Sequence, residues 1–588
     1  VMRKKILNLV VIISFITQLA APGAWASQKA WEKPLNIKMT WSKVTYFGTI
    51  VVGSNGGLES FNPETGEQLW VREDLKKLAP FDVKEVSGYP ILILGKDKGI
   101  GGSKSEIEAI DMATGQTLWK NEKVNGAPLG VYPVPNKPQV LFLANVFNDK
   151  ELGQGIYILS YDAQTGAEQW ATLYEKKAGG IPTYLADNSG AFYVRLDLSG
   201  YQDPVFTQDT AYLTFQGLHA VNLATGEIIW GEEFKPGHKN FKKSYAAPVV
   251  DGDTVYATGN GRVYAFNKNT GEKLWESEKV RSGLVSQLIV ADDLIFVRIG
   301  GNFFEPGTKQ FKLDKPLLVQ AYKKADGSLA WEYDGARGGI TNMVYLPELH
   351  SIMFADAKNL IGLDTLGTGD LKETFKVAVE FKRDISATDL ASTGVKALTG
   401  GLGGLLKASV KTAVGKERED PPVAVILQPD GKVSVRGQQH ILAFNPQSKE
   451  IDWSLFYAAP GPSMLGIAMV AGVSAFAVLG YQAGYASGGS SMSSASSSIN
   501  SQFARMDKYL DKRFSKASNV DSHAFILTTV TDDKDSGIGI MAVNLSTGET
   551  DGQVVFDEKD PNYTVDPMSN RLYFFPKGKA IVAYDMVP

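Results

Sequence analysis

Residues able to do chemistry are few and scattered in this chain. It has five histidines, His219, His238, His350, His440 and His523, with no His-x-His or His-Glu-x-x-His spacing, so no metal centre is indicated. Cysteine is absent, which removes disulfides, thiolate ligands and cysteine nucleophiles together. The run Asp532-Asp533-Lys534-Asp535-Ser536-Gly537 opens like a calcium loop, but neither Asp532 nor Asp533 as first ligand is followed by an acid at the twelfth position, so it reads as a hairpin turn. GIGGSK at 99–104 lacks the Gly-Lys-Ser/Thr order of a phosphate loop. No catalytic, metal or cofactor residue is nominated, and the balance lies against an enzyme. The chemistry left to explain is recognition.

Recognition needs a scaffold, and here the scaffold is written in a repeated phrase. FNPETGEQLW ends at Trp70, IDMATGQTLW at Trp119, YDAQTGAEQW at Trp170, VNLATGEIIW at Trp230 and FNKNTGEKLW at Trp275. An Asp or Asn, a Thr-Gly turn and a Trp recurring roughly every 45 to 60 residues mark a closed array of small β-sheets. In residues 249–278, Asp-Gly, Asn-Gly and Thr-Gly separate alternating apolar segments. Such pairs reach positive φ in tight turns, so each unit is expected to be four antiparallel strands. Gly66, Gly115, Gly166, Gly226 and Gly271 are nominated as turn residues, with the preceding Thr bonding local backbone. The tryptophans are placed on the outermost strands, where each indole spans to the neighbouring sheet and its N–H finds a carbonyl.

Weaker copies follow at Trp331, at Phe375 in the aromatic slot, at Trp453 and near Gly548. The chain stops at KAIVAYDMVP, a third strand and half a phrase, while KAWEKPL around Trp31 supplies what is missing. Joining the two ends closes the ring and leaves no open blade. The fold class expected is therefore an all-β propeller of four-stranded antiparallel blades over residues 27–588, with about eight to ten units. The phrases resemble the tryptophan-docking repeats of the pyrroloquinoline-quinone (PQQ) type β-propeller family. That resemblance implies either a quinoprotein dehydrogenase or a non-catalytic propeller similar to the outer-membrane assembly scaffold. The dehydrogenase branch commonly carries a vicinal cysteine disulfide, a calcium held by Glu, Asn and Asp, and an Asp base. This chain has no cysteine and no motif that places those acids, so the scaffold branch is preferred and no cofactor is expected.

At the N-terminus, Arg3, Lys4 and Lys5 precede an apolar run, and Ala24-Trp25-Ala26 has the small-x-small form that signal peptidase accepts. Residues 1–26 are expected to be a signal peptide, with an uncleaved anchor as the other reading, and the mature chain to begin near Ser27 in the periplasm or cell envelope. Without a cysteine there, an N-terminal lipid anchor is not expected. A net charge of −4 gives no excess of basic residues for nucleic acid.

Two inserts interrupt the repeats, both after the outermost strand of a unit, so both should emerge on one face. Residues 386–416 place Val395, Leu398, Leu402, Leu405, Leu406, Val410 and Val414 at helical spacing with Lys396, Lys407 and Lys411 beside them. This is a cationic amphipathic pattern suited to an anionic lipid surface or to packing on the disc. The second insert, 459–518, opens with the uncharged stretch 463–487, in which Gly466, Gly472, Gly480 and Gly484 lie among large apolar residues. A Ser-rich tether and an amphipathic stripe from Ile499 to Phe514 follow. The uncharged stretch is long enough to enter a bilayer as a helix; packing on the disc and an oligomerisation stem are the other readings. A single crossing would part the last strands from their ring, so a re-entrant path is preferred. The function expected is an exported, non-catalytic scaffold for other envelope proteins, membrane-associated through these inserts, with a quinoprotein dehydrogenase and a secreted adhesion or polymer-binding propeller as alternatives.

Overall fold

The computed structural model describes residues 25–98, 104–121, 126–149, 152–175, 204–214, 217–233, 246–281, 285–305, 310–367, 370–379, 382–383, 418–419, 422–437, 440–457, 522–531, 536–558, 561–566 and 568–587. These residues form ten four-stranded sheets and one two-stranded ribbon. Single 3-10 turns at Pro80–Asp82, Pro347–Leu349 and Pro576–Gly578 are the helical elements among them. Blade one is typical, with strands Trp41–Val44, Ile50–Ser54, Gly57–Phe61 and Gln68–Arg72 in that order from axis to rim. Blades two to ten follow at 83–121, 126–175, 205–232, 249–276, 285–333, 344–378, 424–456, 523–555 and 563–585.

The core is not one mass but a layer between each pair of neighbouring blades. Phe47, Val51, Leu58 and Trp70 of blade one meet Val83, Leu92 and Ile110 of blade two. Equivalent clusters join every consecutive pair, and Tyr573 and Ile581 of blade ten meet Ile50 and Val52 of blade one, which closes the ring. This explains why inner strands such as Ile50–Ser54 are buried at every position: each blade is covered on both faces, so its strands carry unbroken apolar runs.

Both ends of the chain build blade ten. Gln28–Pro34 pairs antiparallel with Ala580–Asp585, Trp31 facing Ala583 across the ladder. Arg571 fastens this blade to the first, donating from Nη1 to the Pro63 carbonyl at 2.6 Å while Nη2 pairs with Asp585 at 2.7 Å. Ser42 of blade one and Thr564 of blade ten add a hydroxyl pair at 2.6 Å.

Blade nine differs from the others. Its Asn544–Gly548 turn lies between Ser536–Asn544 and Thr550–Val555, which makes these its third and fourth strands and His523–Thr531 its second. Among the described residues no strand lies inside His523–Thr531; the sheet's fourth member is instead Trp25–Ala26, paired in parallel on the outer edge of Thr550–Val555. Those two residues fall within the stretch expected to be signal peptide; residues 1–24 lie outside the described residues. Both inserts, with Gly466, Gly472, Gly480 and Gly484, also lie outside them. The first leaves and returns through a short stem, Lys382 opposite Glu419 and Arg383 opposite Arg418.

Candidate interaction surface

The repeat residues form one device, used blade after blade. In blade one the Asn62 side-chain oxygen accepts the backbone N–H of Glu64 at 2.8 Å and of Thr65 at 3.2 Å, and the Thr65 hydroxyl accepts the N–H of Glu67. Asp111, Asp162, Asn222 and Asn267 cap their turns in the same way. The turn then presents a carbonyl to the preceding blade. Trp31 donates its indole N–H to Pro63 at 3.0 Å, Trp70 to Met112 at 2.8 Å, Trp119 to Ala163 at 2.8 Å, Trp170 to Leu223 at 3.0 Å, Trp230 to Lys268 at 2.8 Å and Trp275 to Lys324 at 2.9 Å.

The turn glycine does more than permit positive φ. Gly115 has φ 66°, and a Cβ built on it would lie 2.6 Å from the Trp70 ring. Gly66, Gly166, Gly226 and Gly271 stand in the same relation to Trp31, Trp119, Trp170 and Trp230. The glycine is the floor of the indole's seat, a role the sequence reading did not assign. The seat changes where the aromatic changes: Phe375 of blade seven packs on Phe444 at 5.3 Å, and the facing turn carries Lys449 at φ 59° in place of glycine. Trp453 of blade eight sits against Gly548, but its indole N–H is buried with no partner. In blade nine the slot holds Gly552, because the Met586 carbonyl occupies the space a Cβ would need, 1.8 Å from it.

Tertiary structure gives the histidines partners that sequence spacing did not reveal, His238 lying outside the described residues. His523 Nε2 is 2.8 Å from Asp551 Oδ2 and its Nδ1 is 2.7 Å from the Ser522 hydroxyl. This has the order of an acid–imidazole–hydroxyl relay. Yet His523 is only 9% exposed, and Asn544 donates to the same carboxylate oxygen at 3.1 Å; the group ties the turns of blade nine together. His350 Nδ1 reaches Asp292 at 3.1 Å, a carboxylate that also accepts from Tyr345 and Thr365 and so joins blades six and seven. His219, bonded to the Tyr174 hydroxyl, is pushed down to about 4 by burial. His440 lies against Phe456, ring centroids 4.9 Å apart. Among the described residues no three His, Asp or Glu side chains cluster as a metal site, and no helix is long and apolar enough to cross a membrane.

What the ring offers outward are strand edges and overhanging hairpins. Among the described residues the largest overhang belongs to blade six, where Leu294–Glu305 and Gln310–Lys323 stay paired from Gly301–Asp314 to Glu305–Gln310, beyond the last pairings of their neighbours at Ile299 and Val319. Gly300 and Gly301, both at positive φ, make the bulge at its base. Leu313 is exposed there; Val71, Ile229, Leu274 and Leu329 are exposed on rim strands. Trp25–Ala26 pairs in parallel along the outer edge of Thr550–Val555.

A family model described as "Outer membrane protein assembly factor BamB" matches residues 17–230 and 214–455. A curated relative, the outer membrane protein assembly factor BamB of Burkholderia pseudomallei, is 26% identical over 309 residues, 50% of this chain and 65% of its own length. The chain thus spans a little under two thirds of that relative. Among solved structures, BamB from Moraxella catarrhalis is similar at 13% identity with a TM-score of 0.33, covering 71% of this chain and 97% of its own. Kluyveromyces lactis Hsv2 is similar at 8% identity and a TM-score of 0.30, covering 64% and 97%.

Proposed function

This chain belongs to the family of outer membrane protein assembly factor BamB, and from that premise we propose that it is an exported, non-catalytic propeller that scaffolds the assembly of outer-membrane proteins by binding other envelope proteins. The supporting observation is a rim whose outermost strands leave Val71, Ile229, Leu274 and Leu329 exposed. A rim edge exposes unpaired backbone N–H and C=O groups, so an extended partner segment gains main-chain hydrogen bonds there without disturbing any seam. The blade-six overhang offers two further edges with no strand beside them among the described residues.

Expression in a host lacking its own BamB tests the reading. Folded outer-membrane proteins should return toward wild-type levels; a chain that reaches the envelope intact and restores none of them refutes the scaffold role. Membrane association is the finer part of the proposal and rests on the uncharged stretch at 463–487. Envelope fractionation of the full chain and of a 463–487 deletion separates the two parts. The deletion should move the protein to the soluble fraction while its β-sheet circular dichroism is kept, and retention with the membrane would remove that segment as the anchor.

A further inference from the structure

Arg571 of blade ten shows how this ring buries a guanidinium: 4% exposed, it pairs with Asp585 at 2.7 Å and with Glu64 at 3.4 Å. Arg436 of blade eight is 8% exposed, yet it has no carboxylate, carbonyl or hydroxyl partner among the described residues. Val433 and Val435 of the same strand pack in the layer toward blade seven, so strand alternation turns Ser434 and Arg436 toward blade nine. Ile441, directly opposite Arg436 in the ladder, lies in the layer on that side. From blade ten, Tyr563 also faces blade nine, its ring centroid 6.0 Å from that of Phe556. Arg436 and Tyr563 are near enough for each to act on the charge state of the other. The hydroxyls of Tyr563 and Ser434 are both buried without a hydrogen bond. Arg436 ends a second strand and Tyr563 begins a first strand, which puts both at the same face of the disc.

We propose that Arg436 and the Tyr563 hydroxyl, with the Ser434 hydroxyl beside them, form a binding site for a small oxyanion, a carboxylate or a phosphate. A guanidinium presents a planar fork of N–H donors that matches two oxygens of such a group, and a hydroxyl donates to a remaining lone pair. Burial pushes the Arg436 pKa down to about 10, which leaves the side chain a cation at neutral pH. A buried ion without a partner is strongly unfavourable, whereas the same ion met by an oxyanion regains in charge-assisted hydrogen bonds what it lost in hydration. The inference does not depend on the scaffold reading.

Isothermal titration of the full chain with sodium phosphate and with sodium acetate, in Tris–chloride buffer of constant ionic strength, tests it. At least one of the two should bind saturably at a single site, and the one that binds identifies the group. Arg436→Met should weaken that binding at least about tenfold and Tyr563→Phe about threefold, as expected for a charged and a neutral hydrogen bond. Without added oxyanion, Arg436→Met should melt no lower than the parent, because an apolar side chain then replaces an unmatched ion. Absence of saturable binding of either anion to the parent overturns the proposal, and so does undiminished binding to Arg436→Met with the parent's circular dichroism. A clearly lower melt of Arg436→Met in the oxyanion-free buffer means that the chain itself balances this charge, and that result overturns it too.

Discussion

At the scale of single residues, the indole and its glycine seat act as a pair divided between two blades. Where Phe375 replaces the indole, Lys449 replaces the glycine, keeping φ 59° at a left-handed cost of about 1 kcal/mol. Phe375→Trp alone should therefore destabilise by about 1–3 kcal/mol through overpacking against the Lys449 Cβ, and Lys449→Gly in the same chain should recover most of that loss in urea unfolding. Glu59 is a second residue whose cost is visible. It is fully buried in blade one and neither carboxylate oxygen makes a hydrogen bond of good geometry. Burial pushes its pKa up, opposed by the nearby backbone amides of Asn36 and Ile37 and the Gln68 side chain. A carboxyl whose folded pKa is raised favours folding below its unfolded value of 4.5 and loses that contribution as pH rises through the folded value. Glu59→Gln should thus raise the thermal midpoint near neutral pH, with the gain shrinking toward pH 4; a gain independent of pH would assign the effect to packing.

At the scale of elements, the strands divide into those that make seams and those that leave the ring. The blade-six overhang, from Gly301–Asp314 to Glu305–Gln310, has no neighbouring strand on either side among the described residues. Replacing residues 302–313 with a two-residue Asn-Gly turn should leave the thermal midpoint within a few degrees, because the pairings of this sheet with its outer strands end at Ile299 and Val319 and are kept. The same change should lower affinity for an envelope partner that uses this edge, read by surface plasmon resonance once the partner is in hand. The capped turns were legible from residue type alone, since an Asp or Asn followed by Thr-Gly has one local geometry that satisfies the backbone. The overhang was not: Gly300 and Gly301 sit in an ordinary apolar strand pattern, and only cross-strand register separates a bulge from a weak strand.

At the scale of the whole molecule, ten layers of similar kind, none a central core, make the ring tolerant of where the chain is cut but not of an unclosed seam. A permutant with new termini in 458–521 and the old termini joined by a Gly/Ser linker from 587 to 25 interrupts no strand among the described residues. It should keep the β-sheet circular dichroism and a melt within a few degrees of the parent. A permutant opened inside blade two, between Ile91–Lys98 and Lys104–Asp111, parts a hairpin and should fold markedly less well. The repeat phrase by itself determined the blade, its turns, the rim position of each Trp and the union of both termini in one sheet, because these follow from local turn chemistry and from the need to leave no edge unpaired. Only the tertiary structure decided the count of ten, the glycine floor beneath the docked indoles from Trp31 to Trp275, and the Ser522–His523–Asp551 tie. The count and the glycine floors depend on which blade faces which across a gap, a relation no single repeat contains, and the tie depends on a pairing 28 residues apart that the repeat phrase does not carry.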